Sequence, residues 1–474
     1  MAETPLTETA AAQTTPDQTE PPLSFEEDDE AKERPLVATG ELPVGVGLTI
    51  PYPGASPLED RLARANAAAR AASLKRLAGW FPGYDFEDAA QNVDARRFAV
   101  ISLGQQLVDH LNGEQMVDRL LFEHGHLWGL GGISFSHGDV KGHQPPPPYA
   151  RISAPNNNLG YVVPGGLAKA LDERWTAIVN GADQYDPALG EVVLNLGRAI
   201  GCPVNTNIYI SYGPSKGFGA HWDNHDTIIV PVRGSKRWAL LEPHVLSAER
   251  PWIDPDTSDR PLWEGVIEPG MALVIPRGWG HRVDGSDDLS IHCTIGLARL
   301  ETHEMLERVA FEAGFWPMLR ADTPYDVREP ATSYGGSVYD QPQGFARTIA
   351  EVATPELVER AIASHRARIV RRPYPSFGDV FRGVALRNWA GLKVRLVSPA
   401  GIMLHSETDE AAVFAFNNRA VQVLTEALEA FLALADAEPM SVSDLPHVGS
   451  GGDEDLRPEF ASQLVATGMA TVER

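Results

Sequence analysis

His221 and Asp223, in Gly217-Phe-Gly-Ala-His221-Trp-Asp223, are two metal-ligating side chains one residue apart. On a β-strand the period of two would turn both to one face. That is a two-point claw, and it needs a third ligand. About sixty residues on, the apolar run Met271 to Ile275 leads through Pro276-Arg-Gly-Trp-Gly to His281. Two imidazoles and one carboxylate fill one face of an octahedron and leave three positions open, a set suited to Fe(II) that must also bind other molecules. His225, two residues beyond Asp223, is not counted as a ligand. Alternate residues on a strand advance about 6.6 Å, so three in a row do not meet one ion. It is expected on the substrate side or behind the ligands.

Elements that can position such a set surround it. Asp186 to Gly201 reads as a helix: Asp186 caps it, Pro187 takes the first helical position, and Gly201 can end it. Leu189, Val192, Val193, Leu196 and Ile200 fall on one stripe. Short apolar segments follow at Asn207 to Ser211, His221 to Asp223, Thr227 to Val232, Arg237 to Leu241, Val266-Ile267, Met271 to Ile275, Arg282 to Asp284 and Leu289 to Leu297, separated by glycine turns. Val245 to Trp263 reads as loop. This is the pattern of an all-β unit of short strands, and a jelly-roll would let ligands distant in sequence converge on one cavity.

The combination of Asn207-Ile-Tyr209, Gly217-Phe-Gly-Ala-His221-Trp-Asp223, Gly234-Ser-Lys236-Arg-Trp238 and Pro276-Arg-Gly-Trp-Gly-His281 resembles the catalytic core of the JmjC-type ribosomal oxygenases of the cupin superfamily. The resemblance covers about residues 165 to 300. It implies an α+β chain with a double-stranded β-helix core, and Fe(II) on His221, Asp223 and His281. It further implies 2-oxoglutarate and O2 as the other reactants, with Lys236 pairing the distal carboxylate of 2-oxoglutarate. Asn207 and Tyr209 would line the cosubstrate site. Ser290-Ile-His292-Cys-Thr294 matches a similar family strand, placing Thr294 at the cosubstrate and His292 in the pocket wall. From the residues alone, Lys236 beside Arg233 and Arg237 reads equally as surface charge, Tyr209 as a core-edge tyrosine and Asn207 as a turn residue. Trp222 and Trp238 read as barrel packing. The chain departs from the family's Gly-Phe-x-Pro-His in having Gly-Phe-Gly-Ala-His221.

The resemblance also implies a substrate: an Arg or His side chain of a ribosomal or other protein or peptide, and a homodimer formed through the helical segment after the barrel. A net charge of -24, from 40 Lys+Arg against 64 Asp+Glu, suits a basic partner and argues against direct nucleic-acid binding. The divisions expected are a disordered acidic tail over 1–35, a helical and loop region over 36–150, the catalytic domain over 151–300, a helical region over 301–375, and a winged-helix-like domain over 385–474. In the first of the longer regions Leu58 to Ala78 and Ser102 to Leu121 read as helices. His124 to Tyr149, with His124, His126, His137 and His143 among glycines and prolines, reads as loop, its histidines structural or substrate-facing and with no clean metal-ligand spacing.

After the barrel, Thr302 to Phe311 and Thr354 to Arg368 read as helices, the second with Leu357, Ala361 and Ile362 near one face. In the last region Lys393 to Leu396, Ile402 to His405 and Ala412 to Phe416 read as strands, and Gln422 to Ala435 and Pro458 to Thr467 as helices. Residues 371–474 hold nine Lys/Arg against fourteen Asp/Glu, so no basic recognition helix is expected. Cys202 and Cys293 are too few for a disulfide scaffold and suit a reducing cytoplasm. No secretory signal or membrane-spanning run is read. Two other functions share the features: a small-molecule oxygenase on the same barrel, and a non-enzymatic metal-binding cupin. A zinc hydrolase lacks a plausible general-base pair.

Overall fold

The computed structural model describes residues 35–41, 57–91, 97–124, 132–138, 140–153, 160–215, 217–243, 261–285, 288–299, 301–313, 354–355, 357–358, 361–362, 389, 391–396, 402–416, 419–435, 439–449 and 455–472. The expected tail over 1–35, Pro35 apart, lies outside them, as do the expected loop from Val245 to residue 260 and most of 314–388.

The strands in chain order are β1 (Val37–Glu41), β2 (Ala99–Ser102), β3 (Ile133–His137), β4 (Val140–Gln144), β5 (Arg151–Ser153), β6 (Gly160–Val162) and β7 (Thr176–Val179). Then come β8 (Val204–Tyr212), β9 (Asp226–Arg233), β10 (Lys236–Pro243), β11 (Trp263–Ile267), β12 (Met271–Ile275), β13 (Trp279–Gly285) and β14 (Leu289–Leu297). The last are β15 (Lys393–Leu396), β16 (Ile402–Glu407), β17 (Ala411–Phe416), β18 (Arg419–Leu424), β19 (Met440–Ser441) and β20 (Ala470–Val472). An eight-stranded sheet runs β2-β12-β9-β14-β8-β7-β3-β4, and a three-stranded sheet β11-β10-β13 faces it. Both are antiparallel throughout. This is the expected jelly-roll.

Side-chain chemistry fixes which way each strand faces. On β8, Val204, Thr206, Ile208 and Ile210 are buried while Asn205, Asn207 and Tyr209 between them are only partly so. The apolar set packs into the larger core with the helix Pro187–Ile200, and the polar set turns to the opposite face. That helix has the expected ends. The Asp186 carboxylate accepts from Ala188 N and Leu189 N at 3.0 and 3.1 Å, and Gly201 takes the left-handed conformation at φ 77. Leu189, Val192 and Leu196 are each no more than 1% exposed, burial that stabilises by roughly 1.5–3 kcal/mol per side chain. Between the sheets a smaller apolar cluster of Ile229, Trp238, Leu240, Ile267, Leu273 and Ile275 closes one part of the interior.

Three expectations for the first third of the chain need correcting. The region over 36–150 is not only helix and loop: β2, β3 and β4 belong to the main sheet. The passage expected as loop from His124 to Tyr149 contains the β3–β4 hairpin. Ile133 and Phe135 are buried at 1% and 0% in the core, with Ser134 and Ser136 on the other face. That is a period of two, masked in composition by the glycines before and the prolines after. The helix expected from Ser102 to Leu121 is broken at Asn112, which has φ 42, into Gln105–Leu111, Gly113–Asp118 and a π-helical turn Arg119–Glu123.

The C-terminal part has its own core, in which Phe414, Phe431 and Phe460 are fully buried. It is built from the sheets β1-β18-β17-β16 and β19-β15-β20 and the helices Thr425–Ala435 and Arg457–Ala466. Helix was expected from Gln422, but Gln422 to Leu424 belong to β18, where Val421 and Val423 alternate into the core as β-branched residues do on a pleated surface. The helix Pro57–Trp80 ties the two cores together. Leu58, Leu62 and Ala65 sit in the C-terminal one, Leu77 and Trp80 in that of the barrel. The helix Thr302–Ala313 follows the barrel, and its Val309 packs with Leu357 and Ala361.

Candidate active site

His221 does not lie on a regular strand as expected. It makes an isolated antiparallel bridge with His281, His221 N donating to His281 O at 3.0 Å and His281 N to His221 O at 2.7 Å. Directly paired residues point the same way, so the two rings come together with centroids 4.3 Å apart. Asp223 is then brought in by the turn that precedes His281. Gly278, at φ 80, donates its N–H to Asp223 O at 2.9 Å, a conformation that glycine adopts without steric cost. One ligand atom from each of His221, Asp223 and His281 lies within 4.8 Å of the others. Among the described residues no other such group of His, Cys, Asp and Glu occurs.

The donor set fits a divalent metal. His221 Nδ1 lies 3.1 Å from Gly219 O, and His281 Nδ1 lies 3.1 Å from Trp279 O. A carbonyl only accepts, so each Nδ1 carries the proton and each Nε2 presents a lone pair. Those Nε2 atoms lie 4.0 and 3.7 Å from the Asp223 oxygens. Metal–ligand bonds of about 2.1 Å can bridge such gaps. His281 is 4% exposed, and burial, with His221 beside it, lowers its pKa to about 4, so it remains neutral. His225 stays outside the group, its ring beside Gly296.

The cavity next to these ligands measures about 240 Å³. Lys236 lines it, only 7% exposed, from the first position of β10. It is therefore not surface charge. Among the described residues it has no carboxylate in salt-bridge range, and burial lowers its pKa to about 7. Gly234 makes this placement possible. At φ 62 it turns β9 into β10, and a Cβ there would sit 2.3 Å from Leu289 O. Trp238, two residues along the same strand, also lines the cavity as well as packing in the core.

The opposite wall comes from β8 and β14, paired Tyr209 to His292 and Asn207 to Thr294. All four line the cavity, and the Tyr209 and His292 rings stack at 5.0 Å and 4°. Burial and the Asp223 charge raise the Tyr209 pKa, which keeps the phenol protonated; burial and Lys236 hold His292 neutral. Asn207 Oδ1 accepts from Gly181 N at 3.0 Å, so the residue is fixed and not a turn asparagine. Residue reasoning missed Ser136, Thr176 and Phe218, which also line the cavity, as does His143, expected to be structural or substrate-facing. Phe218 could have been picked out from its place in Gly-Phe-Gly-Ala-His221. The others carry no motif. His137 packs on Trp175 at 5.0 Å and His124 on Tyr185 at 5.8 Å, structural roles in both cases.

Residues 189–305 match the JmjC domain family. That stretch of the barrel is a JmjC domain. A bifunctional lysine-specific demethylase and histidyl-hydroxylase NO66 of Caenorhabditis elegans is 28% identical over 166 residues, 33% of this chain and 22% of the relative. Ribosomal oxygenase 2 of Rattus norvegicus is 28% identical over 198 residues, 38% of this chain and 43% of the relative. The chain thus spans about a fifth of the length of the first of these relatives and less than half of the second. Among solved structures, YcfD, a ribosomal oxygenase from Escherichia coli in complex with cobalt and 2-oxoglutarate, aligns at a TM-score of 0.49 and 17% identity, covering 83% of this chain and 99% of that one. The JmjC match begins inside the helix Pro187–Ile200, so β3, β4 and β7 precede it. One wall of the JmjC cavity is therefore built by residues outside the match.

Proposed function

We propose that the chain is a 2-oxoglutarate- and Fe(II)-dependent dioxygenase that hydroxylates a side chain of a protein or peptide. The observation that carries this reading is the convergence of His221, Asp223 and His281 beside a cavity that also holds the buried Lys236. Fe(II) held by the two Nε2 atoms and the Asp223 carboxylate would supply the coupling of O2 reduction to oxidative decarboxylation of 2-oxoglutarate and hydroxylation of a C–H bond. Lys236 would bind the far carboxylate of 2-oxoglutarate. A buried ammonium is costly alone and is repaid by an anionic partner, so the ligand would restore its charge. Asn207, Tyr209 and Thr294 would fix the orientation of the cosubstrate along the β8–β14 wall. The aromatic rings of Tyr209, His292 and Trp238 would exclude water from it.

A ribosomal protein is the substrate favoured by the names of the relatives, and the net charge of -24 complements such a basic partner. For the remaining parts we propose a homodimer through the 301–375 region, whose Leu306 is 61% exposed on the helix Thr302–Ala313. We also propose a winged-helix-like C-terminal domain. The order helix Thr425–Ala435, β19, 3-10 turn Val442–Asp444, helix Arg457–Ala466, β20 is consistent with it. The helix Arg457–Ala466 carries one Arg and one Glu, which does not favour nucleic-acid binding. No helix among the described residues is long and apolar enough to cross a membrane, and the cytoplasm is the proposed location. The direct test is release of succinate from 2-oxoglutarate by anaerobically iron-loaded protein once O2 is admitted. His221→Ala or Asp223→Ala should abolish it, and full turnover in either variant would sink the ligand assignment.

A further inference from the structure

The turn before His281 has two backbone amides that its own folding leaves to be satisfied from outside. Trp279 N donates to Pro276 O at 3.2 Å and closes a β-turn, with Gly278 in its third position at φ 80. The amides of the two central residues take no part in that closing bond, and a buried amide needs an acceptor. Gly278 N finds Asp223 O at 2.9 Å. Arg277 N finds the carboxylate of Asp226, donating to Oδ1 at 2.9 Å. The same turn supplies Trp279 O, which accepts from His281 Nδ1 at 3.1 Å. One turn therefore holds both Asp223 and His281, and Asp226 is the side chain that holds the turn.

Asp226 is not itself a ligand. Asp223, Asn224 and His225 line the metal cavity, whereas Asp226 lines a second cavity together with Pro276 and Arg299. It is buried at 4% exposure, and its Oδ2 accepts from Arg299 Nε, two residues past the end of β14. A buried ion pair is weak evidence for stability, since apolar packing often serves as well. Apolar packing cannot supply direction, however, and a carboxylate bonded to one amide fixes where that amide points. Further along β9, Ile228 and Val230 pack in the core, so the ionic pair stands only at the strand end that abuts the turn. The Arg277 side chain is tied as well, its Nη1 pairing with Glu301 Oε1.

We propose that Asp226 is a positioning residue for the metal site. With Arg299 as its counter-charge it fixes the turn over 276–279, and through that turn the main chain of Asp223 and the ring of His281. The proposal rests on the metal-binding part of the reading above and assigns the device that sets two of its ligands in place.

The test uses the full chain and the metal alone. Equilibrium dialysis reads Mn(II) affinity, and the visible absorption of Co(II)-loaded protein reports the arrangement of the donors. Asp226→Asn keeps the shape of the side chain and removes its charge; Mn(II) affinity should fall about ten- to a hundredfold, with altered Co(II) bands. Arg299→Ala should weaken Mn(II) binding about three- to tenfold. Arg299→Lys, which keeps a cation for Oδ2, should return it to within about threefold of wild type. Asp186→Ala, which removes the cap of the helix Pro187–Ile200, lowers stability without touching the turn and should leave Mn(II) affinity within about twofold and the Co(II) bands in place. Wild-type affinity and bands in both Asp226→Asn and Arg299→Ala overturn the proposal, and so does an equal loss in Asp186→Ala. Should Asp226→Asn fail to fold, Arg299→Ala against Arg299→Lys decides by the same criteria. Failure of the metal-site reading has a different signature: wild-type protein would bind neither ion.

Discussion

The two walls of the cavity are built on different terms. On one, His221, Asp223, His281 and Lys236 need particular residue types at particular positions, because a metal and a carboxylate tolerate few alternatives. Every one of them belongs to a recognisable motif. On the other, β3 and β7 contribute Ser136 and Thr176, residue types that any polar strand could carry. The first is the side proposed to bind metal and cosubstrate; the second, part of the eight-stranded sheet, carries no motif. The mechanism can therefore be read from the sequence well before the target can.

Mutation should separate the walls. The largest effect is expected at the ligands: His281→Ala should lower metal affinity by roughly a hundredfold or more, since it removes one of three protein donors and leaves a gap in a buried site. Equilibrium dialysis of Mn(II) reads this directly, and a change below about threefold would take His281 out of the set. Lys236→Ala comes next. Loss of a charge-assisted hydrogen bond costs about 1.5–3 kcal/mol, or roughly ten- to a hundredfold in 2-oxoglutarate Kd, with metal affinity held. If the Kd stays where it was, Lys236 does not touch the cosubstrate.

A pH titration sharpens the same comparison. The Lys236 pKa is lowered to about 7 by burial, and binding of a carboxylate requires the protonated amine. Affinity for 2-oxoglutarate should thus be full below about pH 7 and fall as pH rises above it, by up to about tenfold per unit until the bound-state pKa is reached. Calorimetry between pH 6 and 9 checks the sign; a flat profile in wild type, or a slope that persists in Lys236→Ala, contradicts it. The smallest effect lies outside both walls. Asp186→Ala removes the cap of the helix Pro187–Ile200 and the partner of Arg119, and should cost about 1–2 kcal/mol of stability in denaturant unfolding while 2-oxoglutarate Kd is unchanged.

Much of the barrel was legible because its strands obey one rule. Asn205, Asn207 and Tyr209 alternate with Thr206, Ile208 and Ile210, and period two is visible in any window of that length. The helix Pro187–Ile200 announced itself through Asp186, Pro187 and Gly201. The convergence of the ligands was anticipated, but through a different route: His221 was expected on a strand beside Asp223, whereas a two-residue bridge to His281 and the Gly278 turn bring them together. A bridge between residues far apart leaves no periodic trace. The β3–β4 hairpin was hidden for a related reason. Its alternation spans only Ile133 to His137, and the proline run Pro145 to Pro148 beside it is a loop signal by composition. Lys236 could not be placed at all from its neighbours, since Arg233 and Arg237 suggest an exposed turn. Its burial depends on the Gly234 turn and on the sheet facing β10, both tertiary facts.

The proposed site has His221, Asp223 and His281 holding one metal with room left for a chelating cosubstrate. Its most direct measurement is the visible charge-transfer absorption that appears when 2-oxoglutarate chelates protein-bound Fe(II) without O2. Wild-type protein should develop this band on addition of 2-oxoglutarate, saturating at one Fe(II) per chain, and Asp223→Ala and His281→Ala should not. A band of wild-type intensity in either variant, or none in iron-loaded wild type, would contradict the assignment.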